Sequence, residues 1–216
     1  IVRLAKGELV ARMDADDAMH PLRLEKQVGF LQANPELDGV TTGAYLIDAE
    51  DRPIALLPGR QPSAQEVLAR GGFLHPSLLA RKSWFEAHPY SLDYPRAEDR
   101  ELFVRTFKTS RLHVLSEPLY FYRWFGVPRG KTLRIGYRSE RKVMWKYGPN
   151  LVGWGPSLRL IALSFGKELL TWFLEWTHLE KGFQTRRAFQ PLLEMDQREA
   201  LRTLKVIRET CVPGWD

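Results

Sequence analysis

Three aspartates fall within four positions, Asp14-Ala15-Asp16-Asp17, between a segment that alternates like a strand and one that repeats like a helix. Upstream, residues 8–13 put Leu9, Ala11 and Met13 on one face. Downstream, Pro21 stands where a first helical turn tolerates proline, and Leu24, Val28 and Leu31 recur at helical spacing, with Phe30 alongside, until Asn34-Pro35 ends the run. The chain must therefore fold around a strand whose end delivers carboxylates to the start of a helix. Like charges this close repel, and burying them unpaired is costly. One compensation is a divalent cation, since hard cations take carboxylate oxygens and Mg²⁺ or Mn²⁺ bridges protein carboxylates to substrate phosphates. The other is a solvated turn in which Asp17 caps the helix. The tetrapeptide alone does not choose between them.

The remainder of the first half reads as mixed strand and helix. Residues 39–48 are rich in β-branched and aromatic side chains and predict a strand, turned by Glu50-Asp51-Arg52 toward an edge strand over 53–57. Ser63 with Glu66 three residues later predicts a capped helix over 63–70, stopped by Gly71-Gly72. An apolar run over 73–80 is interrupted by His75-Pro76, 83–87 is a helical turn and 90–96 a loop. Residues 98–108 are amphipathic with Leu102, Phe103 and Phe107 inside, and 111–123 return to strand character. Residues 124–131 read as a basic loop. Beyond them the pattern is helical and rich in Trp and Arg, with helices over 137–147, 157–178 and 194–210.

Composition closes several routes. A hydrophobic share of 44% with 27% charged residues excludes a disordered chain. One cysteine, Cys211, excludes a disulfide framework within the chain. The most apolar stretch, 157–176, is broken by Arg159, Lys167, Glu168 and Glu175 and does not read as a membrane span. A net charge of +6 favours anionic partners, but the cations are spread along the chain without a nucleic-acid module, so nucleic acid is not expected as a partner. A phosphatase with a nucleophilic aspartate is also disfavoured, because Ala18-Met19 follows Asp17 where that chemistry needs Thr or Val at a set offset.

The run from Ala5 to Asn34-Pro35 resembles the central motif of family 2 glycosyltransferases of the GT-A fold. Ala5-Lys6-Gly7-Glu8, Asp14-Ala15-Asp16-Asp17, Pro21, Arg23, Leu24, Glu25, Gln27 and Asn34-Pro35 carry the likeness as they stand. Downstream, 97–105 resembles the family's acidic pair at the head of the helix over the acceptor site, 71–86 its histidine-proline segment, and 117–125 its closing strand. The resemblance implies an α/β fold, the C-terminal part of a GT-A mixed sheet with flanking helices, over residues 1–125, and an all-helical extension over 126–216. It implies inverting transfer from a nucleotide-diphosphate sugar to a glycan or lipid-linked acceptor. Asp14 and Asp16 would hold Mn²⁺ or Mg²⁺ and the diphosphate, and Asp99 would be the base. Arg123, Arg129 and Lys131 would contact the diphosphate, and Asp17, Gly72, His75 and Glu98 would lie along donor or acceptor sugar.

Each of these positions also has a structural reading. Glu98-Asp99 would serve as helix-capping acids, His75 as a satisfied strand histidine, and the basic residues after 122 as a solvated loop. The likeness begins within the family's domain, so the nucleotide-reading strands are expected to be missing and the isolated chain to be inactive. A non-catalytic remnant or binding subunit of a glycan-assembly system is the competing expectation. The helical extension, with Trp145, Trp154, Trp172 and Trp176, either packs on the catalytic part or touches an anionic membrane. The setting expected is the cytoplasm, with the inner face of the membrane as a further option.

Overall fold

A computed structural model describes residues 2–126, 130–177 and 192–211. A six-stranded mixed sheet has the order β1 (Leu9–Ala11), β5 (Leu79–Arg81), β3 (Gly39–Ile47), β6 (Leu112–Arg123), β2 (Ala18–Met19), with β4 (Pro53–Leu57) also paired to β3. The β3–β6 pair is parallel and the other pairs are antiparallel. All of β3 is buried, as its unbroken Gly-Val-Thr-Thr-Gly-Ala-Tyr-Leu-Ile run requires of a strand covered on both faces. Pro118, which has no N–H for a ladder, falls where the β3–β6 register shifts around Gly43.

Helix α1 (Arg23–Ala33) follows the aspartates. Its inner face differs from the expected Leu24–Val28–Leu31 stripe: Arg23, Gln27 and Leu31 are buried, while Leu24 is 38% exposed. Polar side chains take the inner face because carbonyls wait there. Gln27 donates to the Val40 and Ser77 carbonyls at 3.0 and 2.9 Å and accepts from Arg23 Nε at 2.9 Å.

Helix α2 (Ala64–Arg70) is held by the predicted Ser63/Glu66 capping box. His75–Ser77 forms a 3₁₀ turn rather than strand, and α3 (Lys82–Ala87) follows β5. Helix α4 (Glu98–Thr106) buries Leu102 and Phe103 in the main core, which also takes in Val67, Leu78, Trp84 and Met144.

Helices α5 (Gly130–Val152), α6 (Trp154–Trp176) and α7 (Glu194–Glu209) complete the described chain. α5 starts earlier than the expected 137 and runs through Gly148-Pro149, beyond the expected end at 147. Gly148 is the point where α6 crosses: a Cβ there would stand 2.6 Å from Ser157 Oγ. The two-residue β2 is too short for a periodic signal and was not expected.

Candidate active site

The aspartates occupy the turn between β1 and β2. Three side chains from other elements fix it. Arg23, fully buried, donates from Nη2 to the carbonyl of Arg12 at 2.9 Å and that of Pro76 at 3.5 Å, and lies over the Tyr120 ring at 5.0 Å. Among the described residues no acid pairs with it, and burial lowers its pKa to about 10. The Tyr120 hydroxyl, from β6, accepts from the Asp14 amide at 3.2 Å. Arg123, at the end of β6, gives its amide to Asp17 Oδ1 at 2.7 Å, Nε to the Asp16 carbonyl at 2.7 Å and Nη1 to the Asp48 carbonyl at 2.7 Å. Its Nη2 pairs with Asp51, which also takes Arg208 of α7 at 2.6 Å.

The turn opens on a cleft of about 680 Å³. Asp14, Asp16 and Asp17 line it with His75, Glu98, Asp99 and Arg123, so most of the positions singled out in the sequence meet in one place. Gly72 does not: it lines a separate hollow beside Arg60 and Pro62. Its φ of 73° and the 2.8 Å approach that a Cβ would make to Pro62 and Val67 account for the glycine. Lys131 is exposed on the first turn of α5, outside the cleft lining. Arg129 lies outside the described residues.

The cleft also holds residues that sequence reasoning did not single out. Arg12 pairs with Asp14 at 2.9 Å, and its position two residues before the motif was the available signal. Arg96 lines the cleft with a left-handed backbone (φ 64°), uncommon for a residue with a side chain, and no spacing marks it. Glu140 comes from α5, beyond the composition break, and pairs with Arg100 at 2.9 Å.

The acids are not equivalent. Asp16 is exposed and its carboxylate is free of ion pairs among the described residues, whereas Asp14 is half-buried against Arg12. Burial raises the Asp17 pKa above the usual carboxylate range, although the Arg123 amide and the nearby Tyr120 hydroxyl pull it down. Asp17 Oδ2 is buried without a hydrogen bond of good geometry. Asp99 accepts from the Arg100 amide through Oδ1 at 2.7 Å. His75 is buried against Tyr90, with which it shares a 2.7 Å hydrogen bond, and burial drives its pKa down to about 3, so the ring is neutral near pH 7.

Among the described residues no three His, Cys, Asp or Glu side chains converge to hold a metal ion alone. Asp14 and Asp16 nonetheless supply the hard oxygen donors that Mg²⁺ and Mn²⁺ take, and such ions complete their shells from phosphates and water. The donor set fits a cation shared with a phosphorylated ligand.

The Glycosyl transferase family 2 model matches residues 1–92, which include β1, the aspartate turn, α1 and His75. The likeness to glycosyl transferase family 2 therefore lies in the segment that carries the aspartate turn, under half of the chain. Over 127 residues it is 32% identical to the O-antigen biosynthesis glycosyltransferase WbnJ of Escherichia coli, covering 56% of this chain and 50% of that protein. It is 24% identical over 127 residues to the uncharacterized glycosyltransferase MJ1057 of Methanocaldococcus jannaschii, covering 56% and 44%. The chain thus spans half or less of the length of these relatives. Among solved structures it is similar to S. aureus TarS 1–349 in complex with UDP, with TM-score 0.49 and 14% identity over 76% of this chain and 48% of that one.

Proposed function

We propose that this chain catalyses inverting transfer of a sugar from a nucleotide-diphosphate donor to a hydroxyl of a glycan or lipid-linked acceptor. The observation that carries the reading is the meeting of Asp14 and Asp16 with Asp99 in one cleft, although the strand turn and the α4 start are far apart in the chain. Asp99 Oδ1 is committed to a backbone amide, which leaves Oδ2 to receive a proton. In the step, the acceptor oxygen bonds to the anomeric carbon as the bond from that carbon to the diphosphate oxygen breaks. The acceptor proton passes to Asp99, and the electron pair leaves with the diphosphate.

Asp14 and Asp16 would hold Mn²⁺ or Mg²⁺, which when bound offsets charge on the departing diphosphate. Arg123 would act mainly by keeping the aspartate turn in shape, since its donors are occupied by Asp16, Asp48 and Asp51. Neutral His75 would offer the sugar a hydrogen bond without adding charge. Lys131 would approach the diphosphate only from outside the lining described, and Gly72 would serve the backbone. WbnJ is named for O-antigen biosynthesis, which favours a growing glycan, free or lipid-linked, as acceptor.

Transfer assays on the full chain with Asp99→Asn test the assignment. The expected result is a fall in kcat of at least about 10²-fold with donor affinity kept. A variant that turns over like the parent would remove Asp99 from the chemistry.

A further inference from the structure

Helix α6 is built inside out. Toward α5 it turns Ser157, Ser164 and Glu168, all buried. Glu168 pairs with Arg141 and, at 3.4 Å, with Arg138, while Glu175 pairs with Arg134. Toward solvent it turns Leu163, Leu169, Leu170, Phe173 and Trp176, with Leu169 70% and Trp176 78% exposed, while half-exposed Phe165 and Trp172 flank this face under Arg141 and Arg134 at 4.1 and 4.5 Å. Single exposed apolar residues are ordinary, but a face of them along about three and a half turns is not.

The charges on the helix are sorted in the same sense. Both acids of α6 face α5, and the charged residues on the outer face are Arg159 and Lys167. Arg138 of α5, which pairs with Glu168, keeps a side chain that is 67% exposed. Indoles mark both ends: Trp154 meets Trp145 of α5 edge to face at 5.9 Å, and Trp172 and Trp176 lie about 27 and about 33 Å away at the rise of an α-helix. Among the described residues no helix is long and apolar enough to cross a membrane.

We propose that α6 lies in the plane of an anionic lipid surface, with its leucines and aromatic rings in the acyl boundary, its tryptophans at headgroup depth, and Arg159 and Lys167 on headgroup phosphates. Apolar and cationic groups without an exposed anion match this surface. A second copy of the chain matches it less well. A two-fold contact through α6 would bring the same cations together, on a chain already at +6. The consequence reaches the cleft, because α5 holds α6 through Arg134, Arg138 and Arg141 while lining the cleft with Thr132, Leu133, Gly136 and Glu140. One helix then separates the candidate site from lipid.

The test is co-sedimentation of the full chain with phosphatidylcholine vesicles, with and without phosphatidylglycerol, together with tryptophan quenching by brominated lipid. Binding is expected on the anionic vesicles, with quenching. Leu169→Glu/Phe173→Glu, both at exposed positions, should reduce partitioning more than about tenfold with the circular dichroism unchanged. Arg159→Gln and Lys167→Gln should each reduce it about fivefold. Failure of the folded chain to bind anionic vesicles would overturn the proposal. So would equal binding by the double variant, or a dimer in sedimentation that this variant dissolves. The readout uses no sugar donor and no turnover, so its failure is distinct from failure of the proposed transfer.

Discussion

The aspartate turn and the α5–α6 pair are both fixed by arginines, yet they expose opposite surfaces. At the turn, buried Arg23 and partly buried Arg123 grip backbone carbonyls and leave carboxylates facing a cleft. Between α5 and α6, Arg134 and Arg141 draw Glu168 and Glu175 inward and leave apolar side chains facing out. Burying polar groups is costly in both places, and the cost is offset only if partners are complete. The lesson is that a buried arginine sets what remains exposed: a charged pocket for a polar ligand in one region, an oily face in the other.

The sharpest way to break the comparison is at Arg23. Arg23→Ala leaves the Arg12 and Pro76 carbonyls and the Gln27 side chain without their donor, and should cost about 3 kcal/mol in urea unfolding. A loss below about 0.5 kcal/mol would mean that the turn is not held from beneath. The helical pair offers the matching experiment. Glu168→Leu strands Arg141 and Arg138 and should cost about 2 kcal/mol, while Glu168→Leu/Arg141→Met should recover most of it. Equal losses for single and double variants would show that packing, rather than pairing, joins α5 to α6.

A third effect is read against pH. His75 has a folded pKa of about 3, below its ordinary 6.5. Between these values the unfolded chain binds more protons, so His75 adds stability above pH 6.5 and loses it as pH falls toward 3, at a slope of at most about 1.4 kcal/mol per unit. His75→Gln should flatten that part of the stability profile; an unchanged slope would place the titration elsewhere. The smallest effect belongs to Asp17, whose pKa burial raises. A raised carboxyl is most stabilising when protonated and loses that contribution as pH rises through the unfolded value. Asp17→Asn should therefore match the parent at low pH and exceed it by a few tenths of a kcal/mol near neutrality. A variant less stable than the parent at pH 7 would show that the carboxylate is satisfied.

Much of this was legible in the sequence. The aspartate turn, the Ser63 capping box and the long central strand each carry a local rule, and local rules survive folding. The inner face of α1 was misread because periodicity counts Leu24 as apolar and cannot see that Arg23 and Gln27 will find carbonyls. The extent of α5 was hidden because Gly148-Pro149 looks like a stop until α6 is known to cross there. Arg96 and Glu140 reach the cleft through tertiary geometry alone. For α6, composition suggested either packing or a membrane, and only the inward turn of Glu168 and Glu175 shows which face is left over.

The most direct measurement is calorimetric titration of the full chain with nucleoside diphosphates, with and without Mn²⁺, beside an Asp14→Ala/Asp16→Ala variant. The account predicts binding that needs Mn²⁺ and is lost in the variant while the fold is kept. Binding that ignores both the cation and the substitutions would contradict it.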